Sequence, residues 1–193
     1  SDECYSEIYP DEARPPMGGL EAAHRLGRDG FRNLVVFTSL SKRSNAPGLR
    51  SGAVAGDAAL LGKFLRYRTY HGCAMSPAVQ HASLAAWQDE AHVCENRVRY
   101  REKFRTIVPM LRPVLEVAEP DAAFYLWARV PGGDDLAFAR DLFAATHVTV
   151  LPGQYLGREV GGINPGRGCV RMALVPELPE CIEAARRIVD FCC

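Results

Sequence analysis

The sequence predicts an α/β protein. Short apolar runs alternate with longer helical stretches along the 193 residues. Cap and breaker residues fall between them. One long helix rich in Arg and Glu, from about Glu90 to Leu111, divides a first part, residues 1–108, from a smaller α/β part, residues 109–193.

The elements follow in order. A helix around Leu20–Leu26 stops at Gly27. Leu34-Val35-Val36-Phe37 opens a buried strand over 34–38 and leads into a polar loop. A second strand, 52–55, ends at Gly56-Asp57, and Asp57 caps a helix that runs to about Tyr70. Ser76-Pro77 starts the next helix, with proline at its first position. In the second part we expect strand 123–129, helix 134–145 capped by Asp134 or Asp135, strands 148–151 and 169–174, and helix 178–191 opened by Pro179-Glu180.

Composition narrows the function classes. At 48% hydrophobic residues the chain can build a core for one or two globular units. Basic and acidic residues balance at 23 each, so there is no electrostatic footprint for nucleic acid or an anionic membrane. No apolar run has the length of a membrane span, and no signal peptide is visible, so a cytoplasmic protein is expected. The seven cysteines are odd in number and form no Cys-x-x-Cys pair; they read as reduced thiols. His71-x-Cys73 and His92-x-Cys94 lack further ligands at metal spacing, and no metal site is expected.

Lys42 carries the most chemistry. It lies in Phe37-Thr38-Ser39-Leu40-Ser41-Lys42-Arg43, just past the buried strand, and Arg50 follows eight residues later. A lysine at a strand end is partly desolvated, which makes its amine available as a nucleophile. Ser39 and Arg50 supply donors to an anion beside it. A nucleophilic amine next to an anion site suits a phosphorylated aldehyde cofactor.

Asp2-Glu3-Cys4-Tyr5, then Ser39-x-x-Lys42 and Arg50, resemble the motifs of the fold-type I, class I/II aminotransferases, which use pyridoxal 5'-phosphate. The resemblance covers essentially the whole chain. It implies the C-terminal part of that fold: residues 1–108 as part of the large, mainly parallel sheet domain that binds the cofactor, and residues 109–193 as the small domain. It makes Lys42 the lysine that bonds the cofactor aldehyde. Asp2 becomes a buried carboxylate at the ring nitrogen, Tyr5 the phenol at the ring hydroxyl, and Ser39 and Arg50 the phosphate ligands. Arg171, in Gly168-Cys169-Val170-Arg171-Met172, reads as an inward charge on a strand, and the resemblance makes it the ligand of the substrate α-carboxylate. Val150-Leu151-Pro152-Gly153 and Gly157 match another family stretch, with Leu156 in place of the usual Phe.

The segments Tyr67–Gln80, Thr38–Asn45 and Asp121–Trp127 further resemble the succinyldiaminopimelate branch of the family. That implies amino transfer between N-succinyl-LL-2,6-diaminopimelate and 2-oxoglutarate, giving glutamate, within lysine and diaminopimelate biosynthesis. It also implies a homodimer, with the Tyr70-His71-Gly72 turn near the partner's cofactor. The succinyl carboxylate needs another cation, and Arg43, Arg66 and Arg68 are available. Family members are roughly twice as long, so the expectation is a C-terminal half, inactive alone, without the phosphate loop and ring-stacking aromatic. Another fold-type I enzyme, such as a C–S lyase, or a cofactor-sensing domain of a transcription regulator would share the same residues.

Overall fold

The computed structural model describes residues 1–193 and divides into two compact units, Ser1–Val98 and Arg99–Cys193. No helix is long and apolar enough to cross a membrane.

In the first unit, helix α1 (Gly19–Arg25) precedes strand β1 (Val35–Ser39). A single helical turn, α2 (Leu40–Arg43), follows at once. Strand β2 (Gly52–Gly56) returns antiparallel, with Val35 opposite Gly56 and Ser39 opposite Gly52. Helices α3 (Ala58–His71) and α4 (Pro77–Gln88) complete the series, and α5 (Ala91–Leu111) begins in this unit. The caps read from sequence are in place: Asp57 accepts from the N–H groups of Ala59 and Leu60, and Ser76 accepts from Val79. Ile8, Val36, Leu40 and Val93 form the apolar core.

Strands β1 and β2 pair antiparallel, and one parallel bridge sets Asp2 beside Phe37, with Glu3 N–H donating to Phe37 O at 2.8 Å. One expectation needs correction here: Lys42 stands on α2, where a loop was expected. Ser39 nucleates that turn by accepting from the Ser41 N–H at 3.3 Å.

The second unit holds the end of α5 and an antiparallel sheet of order β3-β4-β6-β5, with β3 Glu116–Val117, β4 Tyr125–Arg129, β5 Leu151–Pro152 and β6 Cys169–Ala173. Helices α6 (Asp135–Thr146) and α7 (Leu178–Cys192) accompany it. Leu126, Ala128, Val170 and Met172 are buried by strict alternation. Residues 125, 127 and 129 therefore face the other way, as does Arg171, which pairs in register with Trp127. The inward orientation expected for Arg171 is thus wrong. Strand β5 is also shorter and later than the expected 148–151. β3 was missed because a two-residue strand carries no period.

The α6–β5 corner rests on Asp135. Its carboxylate is fully buried and accepts from Gln154 N–H, Gln154 Nε2 and Gly168 N–H, each at 3.0 Å. Gly153 in the same corner has no room for a side chain, since a Cβ would lie 2.2 Å from Gly166 O.

Candidate active site

The first unit opens a cleft of about 640 Å³ at the C-terminal end of β1. Asp2, Tyr5, Ser39, Lys42 and Arg50 all line it. Local geometry explains this gathering. The bridge to Phe37 fixes Asp2 beside β1, and a turn with Ser6 N–H donating to Glu3 O at 3.1 Å carries Tyr5 to the same end. Ser39 closes β1, and α2 then lifts Lys42 to within 5.8 Å of the Tyr5 ring centroid. Arg50 reaches the cleft from a left-handed backbone conformation, φ 52°, with its Nη1 donating to Pro47 O at 2.9 Å. Gly52, opposite Ser39, must lack a side chain: a Cβ there would meet Thr38 O at 2.6 Å.

Asp2 departs from expectation in being exposed. It lines the cleft from its place beside β1. Its charge is held by hydrogen bonds rather than by enclosure. Donation from the Cys4 thiol, then from the Cys4 N–H at 3.0 Å, lowers its pKa from the ordinary carboxylate value. The Cys4 thiol is pushed up by burial and then by its bond to Asp2, so it stays protonated and able to donate. Ser39 Oγ in turn donates to Cys4 Sγ at 3.4 Å. Cys4 was not singled out from the sequence. The motif position alone carries no sign that its side chain turns back to Asp2.

Arg43 and Arg68 differ in their availability. Arg68 lines the cleft and donates to Cys73 O at 3.0 Å. Arg43, one of the three arginines available for a distal carboxylate, is only 3% exposed. Its guanidinium is bonded to Glu90 and to Ala86 O, 3.0 Å away, and stacks over Trp87. Beside it, His92 bridges Asp89 Oδ2 and Ser44 Oγ, both at 2.8 Å. This is the bonding order of a nucleophilic serine relay. Ser44 nevertheless lines no described cleft and gives its N–H to Leu40 O, so the relay acts as a clamp on α2.

In the second unit, the Arg171 guanidinium carbon lies 4.3 Å from the Tyr125 ring centroid, on the face that also carries Trp127. A separate cleft of about 500 Å³ in that unit is lined by Leu111, Val150, Met172 and Ile188 among others. It holds none of the residues expected to act on a ligand.

The chain is similar to known aminotransferases. The family model "Aminotransferase class I and II" matches residues 1–188. An aminotransferase structure from Neisseria meningitidis is 57% identical, with a TM-score of 0.94, over 100% of this chain and 48% of that one. A probable N-succinyldiaminopimelate aminotransferase from Thermus thermophilus is 29% identical, with a TM-score of 0.80, over 98% and 48%. An LL-diaminopimelate aminotransferase of Nitratidesulfovibrio vulgaris is 32% identical over 98% of this chain and 47% of its own length. The chain spans about half the length of the relatives it matches. Members of the matched family depend on pyridoxal phosphate. The chain belongs to the class I and II aminotransferase family.

Proposed function

We propose that this chain supplies the Lys42 wall of a pyridoxal phosphate-dependent aminotransferase that moves an amino group between an amino acid and a 2-oxo acid. The observation that carries the proposal is that Asp2, Tyr5, Ser39, Lys42 and Arg50 line one cleft. The donor set there fits the cofactor. Asp2 is a carboxylate held in its charged form, suited to a protonated ring nitrogen. Tyr5 offers a phenol for the ring hydroxyl. Arg50 with Ser39 suits a phosphate, and Lys42 suits the aldehyde carbon. When bound, the group supplies an electron sink that acidifies the α C–H of an attached amino acid.

The residues of the chain do the rest. With the cofactor held there, the Lys42 amine would serve as the general base at the substrate α C–H. Asp2 keeps the ring-nitrogen proton in place throughout. Arg171 grips the α-carboxylate in a two-pronged pair, and this fixes which C–H is presented to the base. Release of the donor's oxo-acid product, with its amino group retained, and entry of 2-oxoglutarate would complete a ping-pong cycle.

For the substrate we propose an amino acid of the diaminopimelate type, with N-succinyl-LL-2,6-diaminopimelate as donor and 2-oxoglutarate as acceptor. Relatives named for LL-diaminopimelate and for N-succinyldiaminopimelate support this class. Arg68, already in the cleft, is the candidate for a distal carboxylate. The proposal includes a cytoplasmic homodimer of the full gene product. A panel of succinylated, acetylated and free diaminopimelate, each with and without 2-oxoglutarate, tests it. Turnover that requires the oxo acid and prefers the succinylated donor is expected. Product formation without any oxo acid would favour a lyase instead.

A further inference from the structure

Helix α2 is one turn long, too short to persist without tertiary anchors. Its anchors are few and specific. Leu40 is fully buried. Arg43, the residue after Lys42, is buried between Glu90, Ala86 O and the Trp87 ring, whose centroid lies 5.1 Å from the guanidinium carbon. Ser44 is tied to His92, which is tied to Asp89. Successive helical residues project about 100° apart, so the seat of Arg43 dictates the direction of Lys42.

A second tie runs to the segment that carries Asp2 and Tyr5. Glu7, two residues past Tyr5, lies 3.9 Å from Arg43 Nε and 3.4 Å from Arg97 Nη1. Arg97 holds Glu12 at 3.0 Å and stacks over Tyr9. One ion network, built on two buried arginines, therefore joins the segment carrying Asp2 and Tyr5 to the turn carrying Lys42.

We propose that Arg43 is the positioning residue for Lys42: its pairing with Glu90 and Glu7 aims the Lys42 amine into the cleft. This rests on the reading of Lys42 as the cofactor-bonding lysine. Arg43 touches neither cofactor nor substrate in this role. Its guanidinium fork is required as well as its charge, because it serves a carbonyl, a carboxylate and a ring at once.

The test uses the full gene product loaded with pyridoxal phosphate. Three variants serve: Arg43→Lys, Glu90→Gln and the double variant Arg43→Met/Glu90→Gln. Three quantities are read: the thermal midpoint, the pH midpoint of the visible band of bound pyridoxal phosphate, and kcat against KM. Arg43→Lys is expected to lower kcat about 100-fold, the scale of an ångström misplacement, with KM little changed. Its visible-band midpoint is expected to move from the wild-type value. The double variant removes the buried cation together with its partner charge and is expected to recover thermal stability but not kcat or the midpoint. Wild-type kcat and midpoint in a stable double variant would overturn the proposal. If the double variant does not fold, Glu90→Gln decides alone, since Arg43 there keeps Glu7 and the Ala86 carbonyl: a moved midpoint supports the proposal and an unmoved one overturns it. A wild-type protein with no visible band would refute the reading of Lys42 itself, a result distinct from a normal band with unmoved variants.

Discussion

Cys4 donates twice to the exposed Asp2 carboxylate, through the thiol and through the backbone N–H, and this lowers its pKa from the ordinary carboxylate value. A carboxylate held below its ordinary value stays charged until the pH falls through that lowered value. Replacing Cys4 by Ala removes the thiol donor and leaves the N–H. The carboxylate then takes up its proton at a higher pH. Titration of cofactor affinity in the Cys4→Ala variant is expected to show binding failing earlier on acidification than in the wild type. An unmoved acid limb would mean that the thiol contributes nothing to Asp2. Lys42, Asp2, Tyr5, Ser39 and Arg50 were legible in the sequence because their order and spacing are local. The seat of Arg43 was not legible because Glu90 lies 47 residues away. Nothing near Arg43 in sequence reveals a buried partner. Arg171 was placed on the wrong face for a similar reason: only the register with β4 decides which way a strand residue points.

At the level of elements, the caps are where sequence and structure agree most closely. Asp57 accepts from Asn33 N–H at 2.8 Å as well as from the first turn of α3, so one side chain joins β1's approach to that helix. Asp57→Ala is expected to cost about 1–2 kcal/mol, read as a lower denaturant midpoint. Asp135 does comparable work in the second unit. Burial pushes its pKa up, but the N–H groups of Gln154 and Gly168 and the Gln154 amide outweigh this, and the net shift is downward. Its contribution to stability is therefore full above the unfolded carboxylate pKa of about 3.9, and is lost as the pH falls through the lower folded value. Asp135→Asn turns an acceptor into a donor facing one of these N–H groups. It is expected to cost about 1–3 kcal/mol at neutral pH and to blunt the acid dependence of unfolding. A neutral-pH stability equal to wild type would show that the corner does not depend on this carboxylate. Long periodic helices and capped starts were readable, whereas α2 and β3 were not and the bounds of β5 were shifted. Elements of two to four residues are held by distant partners rather than by their own pattern.

For the whole molecule, the chain spans about half the length of its relatives, and α3 buries none of its residues. Leu65, Tyr67 and Tyr70 on that helix are 69%, 61% and 79% exposed. An uncovered apolar helix of this kind binds hydrophobic dyes and exchanges its amides quickly. Residues 1–193 expressed alone are expected to bind such a dye and to show rapid exchange over 58–71. The full gene product is expected to show less of both, and equal values in the two would show that α3 is uncovered in the longer protein as well. The α/β class was legible from alternation along the chain, but the antiparallel pairing of β1 with β2 was not, because strand direction is set by partners rather than by local sequence. Lys42 is the group of this chain proposed to bond pyridoxal phosphate. Incubation of the full gene product with the cofactor, borohydride reduction and peptide mapping test it directly. The pyridoxyl group is expected on the peptide bearing Lys42 and nowhere in the Lys42→Ala variant; its appearance on Lys63 or Lys103, or on no lysine of this chain, would contradict the account.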